Sequence, residues 1–212
     1  MKFVLNILKA FLINFLFIGI IYAATSCPSI SPKLSGDGPI DQVEAIINDV
    51  VCAFIDLHKQ NNGTLTSTLN LTKKKILPYI DLEYSTELAL GSYWSQLDKF
   101  QKKIFERDIK NSLINDYVSI LAEINEWDEI NITVDDKFTQ NDNIVRVKIF
   151  VSLGEEGSDT GVILKLVNNN RWKLFDLEYQ SISILDIEKI GYDSKIKRQG
   201  IKKLVEKMLS KS

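Results

Sequence analysis

"NIVRVKIFVSL", residues 143–153, decides how this chain folds. Val145, Val147, Ile149, Val151 and Leu153 recur at every second position, with Arg146 and Lys148 between them. A period of two puts the apolar set on one face of a β-strand and the two cations on the other. Working outward, Ile130–Val134 reads as a strand before it, and 162–167 and 171–179 read as two more after it. The connections are short: a charged loop over Gly154–Gly161 and an Asn168-Asn169-Asn170 turn. Strands joined this way pair antiparallel, which gives a four-stranded meander.

Upstream the period is helical. Ile40, Val43, Ile46, Ile47, Val50, Val51, Phe54 and Leu57 form one stripe, ended by Asn61-Asn62-Gly63. A second helix covers Ser67–Leu77 and stops at Pro78. Asp81 suits an N-cap for a helix running to Leu90, with Gly91 as its C′ residue. Asp98 and Gln101 have capping-box spacing, and Phe100, Ile104, Phe105, Ile109, Leu113, Tyr117 and Leu121 follow. They define a long helix from Lys99 to about Asn125. After the strands come two more helices, Ile184–Gln199 and Ile201–Met208, broken at Gly200. Helices, then a meander, then helices make an α+β fold with the helices on one sheet face.

The first residues differ from the rest. Lys2 and Lys9 precede an uncharged run from Ala10 to Ala24, and small residues follow. That is the layout of a secretory signal peptide over 1–24. A retained membrane anchor is the alternative, although a run of about 15 apolar residues is short for a span, which needs roughly 20. Residues 25–39 hold Ser, Pro and Gly and read as a linker, leaving 40–212 as a single domain. Loss of the leader takes the formal charge from −2 to −4, which offers nothing to nucleic acid or to an anionic membrane surface. The two cysteines, Cys27 and Cys52, are open to three readings: a disulfide, lipidation of Cys27, or free thiols.

Catalytic constellations do not emerge. His58 is the only histidine, at the polar end of the first helix, with no partner serine motif. Two cysteines and one histidine are not a zinc set. Asp176, Glu178, Asp186 and Glu188 fall at strand ends and helix starts, where carboxylates are ordinarily solvated or capping. No phosphate loop or dinucleotide fingerprint is present.

Aromatic surface is abundant instead. Tyr79, Tyr84, Tyr93, Trp94, Phe100 and Phe105 crowd into Leu77–Phe105, more than one helical stripe absorbs. Either the core gathers its large residues near one glycine break, or the core is too bulky to close and leaves an apolar cavity. In the second case Tyr84, Leu88, Trp94, Phe100, Phe105, Tyr117 and Phe175 line the cavity from the aromatic side. Val145, Val147, Ile149, Val151 and Leu164 line it from the sheet.

Three blocks in register carry a family resemblance. The first is Ile80-Asp81, Leu90-Gly91-Ser92-Tyr93-Trp94, Phe100-Gln101 with Phe105, and Leu113 with Tyr117. The second is Trp172-Lys173-Leu174-Phe175-Asp176 with Ser183. The third is Gly200-Ile201 with Leu204. Together they resemble the MlaC, or toluene-tolerance, family of periplasmic phospholipid-binding proteins, over Ile40–Leu209. The chain departs from that pattern at Ser95, where the family has Arg, and at Ser181, where it has Gly. It departs again at Ile187-Glu188-Lys189, where the family has Asn-Tyr-Arg, which puts headgroup contacts there in doubt.

The resemblance implies a monomeric periplasmic carrier with no catalysis, nucleotide or metal. Such a carrier holds phospholipid by its tails between sheet and helices. It shuttles lipid between an outer-membrane lipoprotein–porin complex and an inner-membrane ABC transporter complex, maintaining outer-membrane lipid asymmetry. Two other classes compete. A small secreted enzyme of cone-shaped α+β fold, or a binder of another apolar ligand, needs an ionisable or polar group aimed into the cavity. A lipidated adhesion or assembly module needs an acylated Cys27.

Overall fold

The structure, a computed structural model, describes residues 37–124, 126–154 and 159–210. The leader, most of the linker, Cys27 and the centre of the charged loop lie outside the described residues. Among the described residues six helices and five strands follow one another as α1 (Pro39–Lys59), α2 (Leu65–Lys75), α3 (Leu82–Leu90), α4 (Lys99–Ala122), β1 (Ile130–Asn141), β2 (Ile144–Leu153), β3 (Thr160–Asn168), β4 (Trp172–Tyr179), β5 (Ile182–Ser183), α5 (Ile184–Gln199) and α6 (Ile201–Leu209). Short 3₁₀ turns over Leu77–Tyr79 and Gly91–Gln96 flank α3. The sheet is an antiparallel meander in the order β1-β2-β3-β4-β5.

The expected caps form. Asp98 accepts from the Gln101 N–H at 2.8 Å, and the Gln101 side chain accepts from the Asp98 N–H at 3.1 Å. Asp81 caps α3 through the Tyr84 N–H at 3.1 Å, and its own N–H bonds the Leu174 carbonyl at 2.8 Å, tying α3 to β4. Gly91 and Gly200 sit at φ +54° and +77°, the left-handed region that side chains disfavour, and each separates two helical segments.

Two expectations need correction. The meander has five strands, because the turn after Tyr179 returns for one more pair, Glu178 with Ser183 and Tyr179 with Ile182. The first strand runs on to Asn141, its register with β2 shifting between Val134 and Phe138. Charged Asp135, Asp136 and Lys137 fill that irregularity and mask the alternation.

One buried carboxylate joins sheet to helices. Asp176 is 3 % exposed. It accepts from Lys165 Nζ at 2.8 Å, Ser183 Oγ at 2.6 Å and the Leu185 N–H at 3.1 Å. Ser183 in turn caps α5 through the Asp186 N–H at 3.1 Å. Lys165 also meets Glu178 at 3.0 Å, and Glu178 meets Arg146 at 2.9 Å, so charges run across β2, β3 and β4. Burial alone would lower the Lys165 ammonium's pKa, but its bonds to Asp176 and Glu178 outweigh that and raise it. The hydrogen bond from Lys165 holds Glu178 below its ordinary value of 4.5.

Removing one member of a buried charged set leaves the rest unpaired. Asp176→Ala is expected to cost about 3–5 kcal/mol by chemical denaturation. The lowered Glu178 contributes stability above its unfolded value, and that stability is lost as pH falls through its folded value. Thermal midpoints should therefore decline below about pH 4.5, and less steeply in Glu178→Gln.

Candidate functional site

The five-stranded sheet carries helices on both faces, not on one as expected, and separates two apolar clusters. Alternation along β2 and β3 puts Val145, Val147, Ile149, Leu164 and Leu166 on one face. They pack with Val43, Ile47, Val51 and Phe54 of α1. Ile144 and Val167, on the other face, join the aromatic cluster of α3 to α6. The proposed lining residues are thus not brought into one wall. Trp94, Phe105, Tyr117 and Phe175 sit in the aromatic cluster, with Tyr84 half-buried against it. Val145, Val147, Ile149 and Leu164 sit in the α1 layer, with Val151 half-buried against it. Leu121 and Leu177 touch both clusters. Leu88 and Phe100 belong to neither and stand on the surface, Phe100 at 64 % exposure.

The aromatic cluster is closed. Tyr84 meets Phe175 edge-on at 5.0 Å, and Phe105 meets Tyr192 edge-on at 5.6 Å. Lys102 lies 4.3 Å over the Trp94 ring. Burial pushes the Tyr117 and Tyr192 hydroxyls far above their ordinary range, and Tyr192 donates to Asp108 at 2.9 Å. Nearby Asp116 is pushed up by desolvation. The tyrosines act here as neutral walls.

The α1 layer opens toward one end. Along β2, Val145 and Val147 are fully buried, Ile149 is 7 % exposed and Val151 is half-buried. The β3 neighbours follow the same gradient: Val145 pairs with buried Leu166, Val147 with buried Leu164, and Ile149 with half-buried Val162. The β1 neighbours run the other way, from exposed Gln140 and Phe138 opposite Val145 and Val147 to half-buried Val134 and Ile132 opposite Ile149 and Val151. Beyond them Leu153, Tyr179 and Ile182 are exposed, 42 to 57 %. Leu153 shares the face of Val145 to Val151, as its spacing predicts, but is 42 % exposed. Arg146 and Lys148 do face the other way.

Trp127 stands near this opening, just before β1. It stacks on Phe54 at 4.7 Å and 16°, with the His58 ring 5.9 Å away. The sequence reading passed over Trp127 and the α1 stripe as lining. The helical periodicity of α1 and the Ile130-Ile132-Val134 alternation were the available signals.

A hollow of about 370 Å³ lies between α1 and α2. Asp49, Asp56 and Lys75 line it beside Ala53, Leu57 and Leu71. Cys52, also on its wall, is disulfide-bonded. Among the described residues no cluster of His, Cys, Asp and Glu is placed to hold a metal.

Comparison with known proteins finds a matching family model, a matching relative and matching solved structures. The MlaC protein family model matches residues 45–210. The intermembrane phospholipid transport system binding protein MlaC of Haemophilus influenzae is 22 % identical over 141 residues. That match spans 65 % of this chain and 65 % of the relative, just under two thirds of its length. A solved structure, the phospholipid-binding protein from Ralstonia solanacearum in complex with a phospholipid, has a TM-score of 0.65 at 25 % identity. It covers 80 % of this chain and 93 % of its own.

The gradient along β2 makes a stability prediction. Val147→Trp forces a ring into a closed site and should cost about 1–3 kcal/mol. Val151→Trp places the same ring where space is half open and should leave the thermal midpoint near wild type. Equal midpoints for both variants would show that the layer is uniformly open or uniformly closed.

Proposed function

The chain belongs to the MlaC family, and on that premise we propose that it carries phospholipid rather than catalysing a reaction. The observation that bears most weight is the opening gradient of the α1 layer. A sheet face whose apolar side chains pass from fully buried Val145 to half-buried Val151 offers acyl chains a wall that the protein leaves unfinished. Each methylene kept from water contributes about 0.8 kcal/mol, so a tail cannot cross an aqueous space bare. The tails lie along Ile149, Val151, Leu164 and Val162, with Val145 and Val147 as the floor. Trp94, Phe105, Tyr117 and Phe175 form the rigid core behind the sheet. The headgroup stays at the wet end and needs no charged trap.

The carrier works in the periplasm and exchanges lipid with an outer-membrane lipoprotein–porin complex and an inner-membrane ABC transporter complex. The names of the relative and of the solved neighbour support the lipid class. The layout of residues 1–24 supports export.

Native mass spectrometry and solvent extraction of the purified protein test this. Phospholipid should co-purify in stoichiometric amount, and delipidated protein should take it up from vesicles. Val151→Trp should fold and lose most of that load. Protein that neither retains nor acquires lipid would refute the carrier role.

A further inference from the structure

We infer that Trp127 positions the bound lipid by donating its indole N–H to an acyl ester carbonyl. The inference rests on the carrier reading. Trp127 is 2 % exposed, and its Nε1 is buried with no acceptor among the described residues. A buried donor left unpaired destabilises the fold, and tryptophan in a core ordinarily finds a partner for that group. The ring is wedged against Phe54 in an apolar cluster with Ile130, Ile149 and Val51. A donor with no partner among the described residues fits an acceptor supplied by a bound guest.

The surroundings select the acceptor's class. Arg146 and Lys165 lie on the opposite sheet face, turned toward Glu178 and Asp176. Apart from the His58 ring at 5.9 Å, the cluster around Trp127 holds no ammonium or guanidinium to offset the burial of a phosphate, so a neutral acceptor fits the site. A diacyl phospholipid carries two neutral acceptors, its ester carbonyls, where tails meet headgroup. The position agrees. Ile130 and Ile132 at the start of β1 pair with Leu153 and Val151 at the open end. Tails running inward toward Val147 leave the ester region at that end, beside Trp127.

The test compares a diester phosphatidylglycerol with its diether analogue of equal chain length. Each competes for the delipidated full chain, wild type and Trp127→Phe, with native mass spectrometry as readout. Wild type should prefer the diester roughly three- to tenfold. Trp127→Phe should bind both lipids with no preference. Replacing Trp127 with 3-benzothienylalanine keeps the ring and removes only the N–H. It should behave like Trp127→Phe, and it decides the matter if the phenylalanine variant does not fold. Equal binding by wild type, or a preference that survives loss of the N–H, overturns the inference while leaving the carrier reading intact. Binding of neither lipid by wild type overturns both.

Discussion

The Asp176 carboxylate is the constraint on which the rest of the structure depends. A buried carboxylate is costly unless it is paired and hydrogen-bonded, and Asp176 accepts three bonds, each from a different element. Lys165 fixes it to β3, Ser183 to β5, and the Leu185 N–H to the first turn of α5. The start of α5 is therefore set by the sheet rather than by its own sequence, which is rich in Ile and Lys without a clean stripe. Once α5 is placed, Leu185, Tyr192 and Ile196 complete the aromatic cluster, and Gly200 turns the chain so that Leu204, Val205 and Met208 close its end.

That arrangement divides labour between the two faces of one sheet. The face with Lys165 and Asp176 holds the fixed charges and is locked to a closed aromatic core. The opposite face is mainly apolar, with Gln140 and Thr160 at its margins, and is covered chiefly by a single helix, α1. Asp49 ties α1 to Lys75 and Tyr79, while against the sheet α1 presents an apolar stripe whose contribution is chiefly non-directional burial.

Much of this was legible in the sequence, for physical reasons particular residues make plain. The period change after Asn125, the Asp98–Gln101 box and the glycines at 91 and 200 are local signals, and the elements they mark are present. The two-residue β5 has no periodicity to read, and β1 was cut short by its acidic irregularity. The candidate site was harder. Spacing on a helix says which residues are buried together, not which sheet face they meet. The Tyr84–Phe175 and Phe54–Trp127 contacts join residues far apart in the chain. Phe100 fits the α4 pattern, yet it lies in the first turn, beyond the core. The family blocks also read differently in three dimensions. Asp81, Gln101, Asp176 and Ser183 are caps and ties that build the fold.

A carrier must also release its cargo, and the closed end of the α1 layer bears on that. Two tails of 16 carbons hold on the order of 25 kcal/mol of burial, beyond the ceiling of non-covalent affinity. A rigid, empty, fully apolar cavity would hold lipid too tightly to pass it on. In this chain Val145 and Val147 are already fully buried without a guest. On the carrier reading, a tail entering there exchanges protein contacts for lipid contacts, and only the difference appears as affinity. The half-buried rows at Ile132, Val134, Val151 and Val162 supply net gain, while the closed rows supply depth at little net gain. Affinity is then set by how far the layer opens, so a membrane complex that pulls on α1 could lower it without touching the lipid.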